Sequence, residues 1–364
     1  MSKPSFFSSL LKNVPASASI AVDGKSSSEF AGFIDTGSYT LNAALSGSLF
    51  GGMADNKVLA LAGESSTGKS YYAVGIAKSW LEQNPTGAVV YFDTESAITN
   101  QMLTDRGIDL NRVIKVEPET IEQFRQSAMQ ILENFESAKP SDRQPIFMIL
   151  DSLGNLSSNK EVQDTKDQKD SRDMTKAGLI RGTFRVLRLK LAKLGVPMIV
   201  TNHIYAVVGA YVPTNAMSGG MGLRYCSDSI VFLSKTKVKS KDKKTVIGNL
   251  IRVKMDKSRL SRENSQVDTK ISYSGGLDRY AGLLAMAEAS GLVTKESGGR
   301  YLFPGHEKSV YESIIDKNPE LYFTLDFLKE LDDTWVKPTF SYGTPDAEGE
   351  DVFDVSNFEE VDAE

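Results

Sequence analysis

The sequence is poor in several features, and each shortage excludes a class of protein. It has a single cysteine, Cys226, which excludes a framework of intramolecular disulfides and favours a reducing compartment. It has no run of about 18 apolar residues, so we expect no transmembrane helix, and serines interrupt the short apolar patch near the N-terminus. We find no internal repeat. A soluble, unexported protein of the cytoplasm is therefore expected.

Charge is distributed unevenly along the 364 residues. Residues 344–364 contain nine carboxylates and no Lys or Arg, whereas residues 1–343 have a net charge of +4. Between Lys235 and Arg262 there are eleven basic residues and two acidic ones. A basic body with an acidic tail is typical of a protein that binds a polyanion while its tail competes for the same surface. The alternative is a disordered tail that only improves solubility.

Apolar segments alternate with helical patterns after Lys57. We predict strands in KVLALAG, AVVYFDTE, RVIKVEP, PIFMILDS and VPMIVTNH, and helices over residues 69–83, 121–137 and 173–194. This alternation predicts an α/β core with a mostly parallel central sheet that is covered on both faces. After Asp228, the segments SIVFLSKTKV, TVIGNLIRVKMDK and QVDTKISYS predict an antiparallel extension of the sheet. The core is expected over residues 41–275.

Three flanking regions complete the predicted organisation. Residues 1–40 are rich in serine and are expected to form an N-terminal arm or linker with one short helix at Phe6–Lys12. Residues 276–343 are expected to form a small C-terminal helical appendage, beginning with an amphipathic helix in LDRYAGLLAMAEASGLV. Residues 344–364 form the acidic tail, which we expect to be disordered.

A phosphate-binding motif follows the first predicted strand. The segment GESSTGKS fits the pattern G-x-x-x-x-G-K-[ST] and lies directly before a predicted helix, as the motif requires. Its residues are Gly63, Glu64, Ser65, Ser66, Thr67, Gly68, Lys69 and Ser70. Glycines let the backbone N–H groups face phosphates at the helix N-terminus. Lys69 is predicted to reach the β- and γ-phosphates, and Ser70 to bind Mg²⁺.

Polar residues at the ends of three other strands extend this predicted site. Asp151 ends a buried strand and is expected to hold Mg²⁺ through water, with Ser152 beside it. In YFDTES, we predict that Glu95 orients the attacking water, although Asp93 and Glu95 can instead solvate the strand end or cap the next helix. His203 closes a neighbouring strand, where it can sense the γ-phosphate or have only a structural role.

These motifs, in this order, resemble the RecA/Rad51 family of homologous recombinases. The segments LNAALSGSLFGGM, DSLGN and DKSR are similar in particular to the UvsX-type recombinases of T4-like phages. The resemblance covers the chain from about Leu41 to Val293. It implies a RecA-type P-loop ATPase core and a DNA-dependent ATPase, which forms a helical filament on single-stranded DNA and exchanges strands with homologous duplex DNA in recombination, repair and replication.

The resemblance also implies roles for residues beyond the phosphate loop. Lys257 and Arg259, in MDKSRL, correspond to cations that reach ATP on the neighbouring protomer; otherwise they are a solvated strand end. Met102 takes the place of an aromatic residue that stacks on adenine, which leaves nucleotide selectivity open. Residues 1–40 then serve as the arm that docks on a neighbouring protomer. A recombination mediator and a single-strand-binding protein are implied partners, in the host-cell cytoplasm if the chain is phage-encoded.

Two segments correspond to the DNA-binding loops of the family. The first, SSNKEVQDTKDQKDSRDMTK, is nearly balanced in charge, and the second, Ile204–Leu223, has no charged residue. The uncharged segment suits insertion between bases, with phosphate contacts from bare glycine N–H groups and flanking cations. The predicted DNA-binding residues are Arg172, Lys176, Val208, Tyr211, Met217, Gly219, Gly220 and Arg224. The basic hairpin Lys235–Lys244 either adds affinity or is a soluble turn.

Two other functions remain open on the sequence alone. A hexameric DNA helicase can have the same core, but we find no N-terminal partner domain in this chain. An accessory protein that binds ATP and forms a filament without hydrolysis is the other alternative, and the presence of Glu95 argues against it.

Overall fold

The computed structural model describes residues 29–169, 173–206, 215–239, 245–273 and 276–342. The predicted helix at Phe6–Lys12, most of the N-terminal arm and the acidic tail lie outside these described residues. Among the helices of the described ranges, none is long and apolar enough to cross a membrane.

The strands form one large sheet and two small ones. They are β1 (Phe33–Ile34), β2 (Met53–Ala54), β3 (Val58–Gly63), β4 (Ala88–Asp93), β5 (Val113–Val116), β6 (Ile146–Asp151), β7 (Met198–Ala206), β8 (Asn215–Met217), β9 (Ser229–Lys239), β10 (Val246–Lys257), β11 (Gln266–Ser272), β12 (Gly276–Leu277), β13 (Thr294–Glu296), β14 (Arg300–Leu302) and β15 (Val310–Tyr311). The large sheet has the order β12-β11-β10-β9-β3-β7-β6-β4-β5, and β8 pairs with β7.

The predicted split between parallel and antiparallel strands is confirmed. Strand β3 pairs in parallel with β7 and β9, and β4 pairs in parallel with β5 and β6. Strands β9 to β12 follow one another in antiparallel pairs. Strand β9 is therefore the junction between the two halves of the sheet.

Helices cover both faces of this sheet. They are α1 (Tyr39–Ser46), α2 (Lys69–Gln83), α3 (Asn100–Asp105), α4 (Ile121–Ser137), α5 (Asn159–Lys166), α6 (Lys176–Leu194), α7 (Gly222–Cys226), α8 (Leu283–Ala289), α9 (Glu312–Ile315), α10 (Pro319–Tyr322), α11 (Leu325–Leu331) and α12 (Lys337–Phe340). The bounds predicted for α2 and α4 are confirmed.

Alternate residues of each central strand fill two separate cores, because successive side chains of a strand point to opposite faces. On one face Trp80 of α2 packs against Phe147, with ring centroids 5.6 Å apart. On the other face Phe92 meets Phe124 of α4 edge-on at 5.0 Å, and Phe124 contacts Phe184 of α6 at 6.1 Å. Burial on both faces explains why these strands are apolar throughout.

Parallel pairing brings the ends of four strands to one edge of the sheet. Gly63, at the end of β3, is the register partner of His203 in β7. Asp93, at the end of β4, is the partner of Asp151 at the end of β6. The carboxyl ends of parallel strands are where α/β proteins bind their ligands.

Paired strands lie just outside the predicted core bounds at both ends. Ile34 is 1% exposed and lies in β1, which pairs with β2, so the described part of the N-terminal arm belongs to the core fold. At the other end, β12 extends the sheet past residue 275 by pairing with β11. Buried apolar positions as early as Ile34 explain the difference.

The C-terminal region contains the expected helices, but its first helix is shorter than predicted. It begins only at Leu283, because Gly282 has a φ of +85° and a Cβ at this position would lie 2.4 Å from the Asp268 carbonyl oxygen. The sequence reading also missed the small sheet β13-β14-β15. Gly298 and Gly299, both with positive φ, form the turn that joins β13 to β14.

The helix predicted from residue 173 begins at Lys176 instead. The preceding helix α5 was not predicted. Its N-terminus has a capping box, in which the Ser158 hydroxyl accepts from the Glu161 N–H and the Glu161 carboxylate accepts from the Ser158 N–H. The spacing of Ser158 and Glu161 in the sequence was the available signal for this helix start.

Candidate nucleotide and DNA sites

The phosphate loop connects β3 to α2 in the conformation that the motif requires. Gly68 has a φ of +92°, and helix α2 starts at the next residue, Lys69. A Cβ on Gly63 would lie 2.7 Å from Thr67 Oγ1 and 2.8 Å from the Leu233 carbonyl oxygen, so only glycine fits at the strand end. The Thr67 hydroxyl donates to the Glu64 carbonyl at 2.9 Å and closes the loop on itself.

Lys69 lies inside this loop with its side chain largely buried. Its Nζ donates to the Gly63 carbonyl at 3.0 Å and to the Glu64 carbonyl at 2.8 Å. Burial lowers the pKa of Lys69, while the nearby carboxylates of Glu95 and Asp151 oppose that change. The amine is thus held by weak neutral acceptors, which an anionic phosphate can replace.

Asp151 is held by two hydroxyl groups at the buried end of β6. Tyr91 donates to its Oδ2 at 2.6 Å, and Thr201 donates to its Oδ1. Burial raises the pKa of Tyr91, and the adjacent Asp151 charge raises it further, so the phenol remains a donor. Ser70, half-buried, lies in the first turn of α2.

The donor set at this edge suits Mg²⁺. The Ser70 hydroxyl and the Asp151 carboxylate are oxygen donors, and Mg²⁺ is bound by few protein oxygens together with phosphates and waters. Within the described ranges no group of three or more His, Cys, Asp or Glu side chains forms an all-protein metal site. The two oxygen donors fit a Mg²⁺ ion that is bound together with phosphates and waters.

The structure brings Glu95 and His203 into direct contact. His203 Nε2 lies 3.1 Å from Glu95 Oε1, and the Ser152 hydroxyl donates to the same oxygen at 2.7 Å. Burial raises the pKa of Glu95, but the hydrogen bonds from Ser152 and His203 outweigh it and leave the pKa below its ordinary value. Glu95 is therefore a carboxylate at neutral pH, as a base must be.

Asp93 supports the turn that carries Glu95. It is 2% exposed, and its Oδ1 accepts from the Glu95 N–H at 3.2 Å. Lys115 Nζ lies 3.5 Å from Asp93 Oδ2 and donates to the Ile98 carbonyl at 2.8 Å. Asp93 thus neither solvates the strand end nor caps the next helix, whose N-cap is Thr99, but holds the turn, whereas Glu95 contacts His203.

Strand β7 joins this site to the glycine turn that follows β8. The His203 carbonyl accepts from the Ser218 N–H at 2.9 Å, and the Asn202 side chain donates to the Ser218 carbonyl at 2.8 Å. Gly219 and Gly220 follow with φ of +80° and +73°. The backbone of His203 is therefore hydrogen-bonded to the residue that precedes the glycine turn.

Several predicted DNA contacts are already engaged within the chain. Lys176 donates to Glu161 at 3.0 Å, and Arg224 pairs with Asp256. Met217 is 7% exposed and packs in the core beneath β7, which corrects the expectation that it inserts between bases. A buried side chain cannot reach a base without a rearrangement of β8. Arg172, Val208 and Tyr211 lie outside the described residues.

The two cations expected to reach a neighbouring protomer also have partners within the chain. Lys257 Nζ donates to the Arg224 carbonyl at 2.8 Å, and burial lowers the pKa of Lys257. Arg259 lies 3.4 Å from the buried Asp228, which also pairs with Arg188 at 2.9 Å. Both cations lie at the end of β10 or just beyond it, next to the helix that follows the glycine turn.

A cavity of about 970 Å³ opens beside the phosphate loop. Ser66, Thr67 and Gly68 line one side, and the Arg106 guanidinium stacks on the Tyr71 ring at 4.1 Å. The aromatic and basic lining was not predicted; its members are Tyr71, Lys78, Arg106 and Tyr273. The signal available in the sequence was the position of Tyr71 and Tyr273, each of which lies within three residues of a glycine that also lines the cavity, Gly68 and Gly276.

Met102 does not line this cavity. The residues after it in the same segment, Asp105, Arg106 and Gly107, do. Met102 is 37% exposed on α3.

A phosphate loop at the end of a parallel strand, facing a buried aspartate and a paired glutamate and histidine, defines a P-loop nucleotide-binding protein. Residues 10–278 match the RecA N-terminal domain family, which is most of the chain. The chain therefore belongs to the RecA family, and the resemblance noted in the sequence is confirmed.

Similar proteins agree with this assignment. The chain is 33% identical to the "Recombination and repair protein" of Enterobacteria phage T4 over 261 residues, which cover 72% of this chain and 64% of the phage protein. It is 26% identical to "Protein RecA" of Frankia alni over 79% of this chain and 80% of that protein. "Protein RecA" of Rhizobium etli is 26% identical over 88% of this chain and 85% of that protein.

Proposed function

We propose that the protein is an ATP-dependent DNA recombinase. It forms a helical filament on single-stranded DNA and catalyses pairing and strand exchange with homologous duplex DNA, in recombination, repair and recombination-dependent replication. The observation that carries this proposal is the continuous contact from Glu95 through His203 to Ser218 and the glycine turn. Such a contact lets the state of the nucleotide change the conformation of the segment assigned to DNA.

The geometry supports ATP hydrolysis with Glu95 as the catalytic base. Glu95 accepts a proton from, or orients, the water that attacks the γ-phosphate, and its lowered pKa keeps it ionised. Lys69 and the loop N–H groups bind the phosphates, while Ser70 and Asp151 would hold Mg²⁺. When bound, Mg²⁺ neutralises charge on the transferred phosphoryl group. His203 senses the γ-phosphate through its contact with Glu95.

Adenine is assigned to the cavity beside the loop. Tyr71, Arg106 and Tyr273 offer flat surfaces for a base, and the loop residues Ser66 to Gly68 place the phosphates at the adjoining end. This assignment replaces the role predicted for Met102.

Single-stranded DNA is assigned to the surface around the glycine turn. Bare N–H groups of Gly219 and Gly220 suit phosphate contacts, and Arg224 and Lys176 add charge once they leave their carboxylate partners. Lys257 and Arg259 are assigned to ATP of the neighbouring protomer in the filament. A mediator and a single-strand-binding protein are proposed partners, and the cytoplasm, that of the host cell for a phage protein, is the proposed location.

One reaction distinguishes the recombinase from its alternatives. The protein is incubated with ATP, Mg²⁺, circular single-stranded DNA and homologous linear duplex, and both joint molecules and ATP turnover are measured. A recombinase gives joint molecules only with homologous duplex, together with DNA-stimulated turnover. Unwinding of a forked duplex without joint molecules would indicate a helicase, and filaments without turnover would indicate an accessory protein.

A further inference from the structure

A second lysine contacts the phosphate loop from outside. Lys235 Nζ donates to the Ser65 carbonyl at 3.2 Å and to the Ser66 carbonyl at 3.0 Å. This lysine belongs to β9, the strand at the junction of the sheet, and not to the motif. Neither the phosphate-binding pattern nor the predicted basic hairpin explains a lysine in this place.

The strand register puts Lys235 beside the loop. Gly63, the last residue of β3, is paired in parallel with Leu233 of β9. Lys235 lies two residues further along β9, on the same face as Leu233, where β3 has already turned into the loop. A Cβ on Gly63 would lie 2.8 Å from the Leu233 carbonyl oxygen, so glycine permits this close approach of the two strands.

These two hydrogen bonds fix the direction of two successive peptide groups. In a trans peptide the C=O and N–H bonds point in opposite directions. When the carbonyls of Ser65 and Ser66 point toward Lys235, the N–H groups of Ser66 and Thr67 point away from it. Ser66 has a φ of +60°, a left-handed conformation that a non-glycine residue adopts at a cost of about 1–2 kcal/mol. External contacts must therefore hold this turn.

Lys235 also adds positive charge to the loop. The loop thus lies between two ammonium groups, with Lys69 bound to the carbonyls of Gly63 and Glu64 and Lys235 bound to those of Ser65 and Ser66. Their proximity is electrostatically unfavourable until an anion binds, and the Lys235 charge contributes, after burial, to the lowered pKa of Lys69.

We propose that Lys235 is a positioning residue of the nucleotide site, which holds the phosphate loop with its N–H groups toward the β- and γ-phosphates of ATP. This inference rests on the proposed ATP site. It assigns to β9 a role in nucleotide affinity. The ligand that the loop binds, once Lys235 has oriented it, is a nucleoside di- or triphosphate.

Direct ADP binding tests this role. Full-length protein is titrated with fluorescent ADP and Mg²⁺ without DNA, comparing wild type with Lys235→Met, Lys235→Arg and Lys237→Met. Lys237 is an exposed lysine two residues further along the same strand and is the matched control. We expect Lys235→Met to raise the dissociation constant about tenfold, because two charge-assisted hydrogen bonds are lost. Lys235→Arg retains donors and should bind within about twofold of wild type, as should Lys237→Met.

Steady-state kinetics gives a second readout. Lys235→Met should raise KM for ATP while kcat at saturating ATP stays close to that of wild type. The reason is that the loop binds the phosphates in the ground state and in the transition state alike. Thermal melting establishes that each variant is folded. Equal affinities of Lys235→Met and Lys237→Met would overturn the proposal for Lys235. A wild-type protein that binds no ADP would instead overturn the proposed ATP site.

Discussion

At the scale of single residues, the site depends on one carboxylate oxygen. Glu95 Oε1 accepts from the Ser152 hydroxyl at 2.7 Å and lies 3.1 Å from His203 Nε2. The same atom is thus tied to the residue that follows β6 and to β7, the strand that leads to the glycine turn. Any change in the charge of Glu95 alters both contacts at once.

Glu95→Gln tests whether this carboxylate is the base. Glutamine keeps the size and the accepting oxygen but cannot take a proton, so ATP and DNA binding should remain within about twofold while turnover falls at least about a hundredfold. Nucleotide binding, DNA binding and phosphate release are measured on the same preparation. Glu119→Gln, at an exposed position before α4, serves as the control. Turnover that persists in Glu95→Gln would show that another group activates water.

Ser152→Ala tests the pH dependence that these hydrogen bonds impose. Burial raises the pKa of Glu95, and the Ser152 hydrogen bond is the first of the contacts that lower it below its ordinary value. Turnover requires the carboxylate, so the rate of wild type falls only when pH drops through that lowered pKa. Removal of the hydroxyl should move the acid limb of the rate profile to higher pH.

The measurement is ATP turnover against pH, with a fluorescence check that each sample remains folded. Ser137→Ala removes an exposed hydroxyl that donates to the Glu133 carbonyl, and it should leave the acid limb unchanged. An acid limb of Ser152→Ala that coincides with that of wild type would mean that the hydroxyl does not set the pKa of Glu95.

At the scale of helices and strands, local signals decided what the sequence could predict. Helix α2 begins at Lys69, where the phosphate motif ends, and α4 begins after the Thr120 cap. Both have strong local start signals, and their predicted bounds are confirmed. Helix α8 was predicted too long, because the left-handed Gly282 is imposed by the Asp268 backbone, which is distant in sequence.

Contacts between distant segments were not predictable in this way. The side chain of Met217 looked free in a glycine-rich segment, but β8 pairs with β7 and buries it. Lys235 was assigned to a basic hairpin, and only the register of β9 with β3 places it at the phosphate loop. The common position of Lys69, Asp151, Glu95 and His203 at one edge of the sheet was predictable, because parallel strands end at one edge.

The glycine turn after β8 gives a prediction at this scale. Gly220 has a φ of +73°, and a Cβ there would lie 3.3 Å from the Ala177 Cβ of α6. Gly220→Ala should lower the free energy of unfolding by about 1–2 kcal/mol, because alanine resists the left-handed conformation. Gly182, inside α6, has no atom within 4 Å of a built Cβ.

Gly182→Ala is therefore the matched substitution, for which we expect the free energy of unfolding to change in the opposite direction. Alanine restricts the unfolded chain and favours the helix, so this variant should gain about 0.5–1 kcal/mol. Urea denaturation of both variants gives the two values. A Gly220→Ala protein as stable as wild type would contradict the left-handed conformation of the glycine turn.

At the scale of the whole molecule, charge is separated along the chain. The net charge of −5 arises from the last 21 residues, since residues 1–343 have a net charge of +4. Cations near the candidate DNA surface, including Lys176 and Arg224, are paired with carboxylates of the folded body. On the proposed function, DNA competes for these cations with the internal acids and with the acidic tail as well.

Deletion of residues 344–364 tests this competition. Without nine carboxylates, the protein should bind single-stranded DNA more tightly and stay bound at higher salt, because fewer anions compete for the same cations. Affinity is measured by fluorescence anisotropy across a salt titration. A variant that keeps the tail but replaces its Asp and Glu by Asn and Gln separates charge from length. Both variants should show the same increase in affinity for single-stranded DNA. Affinities that match wild type at every salt concentration would show that the tail does not compete for the DNA surface.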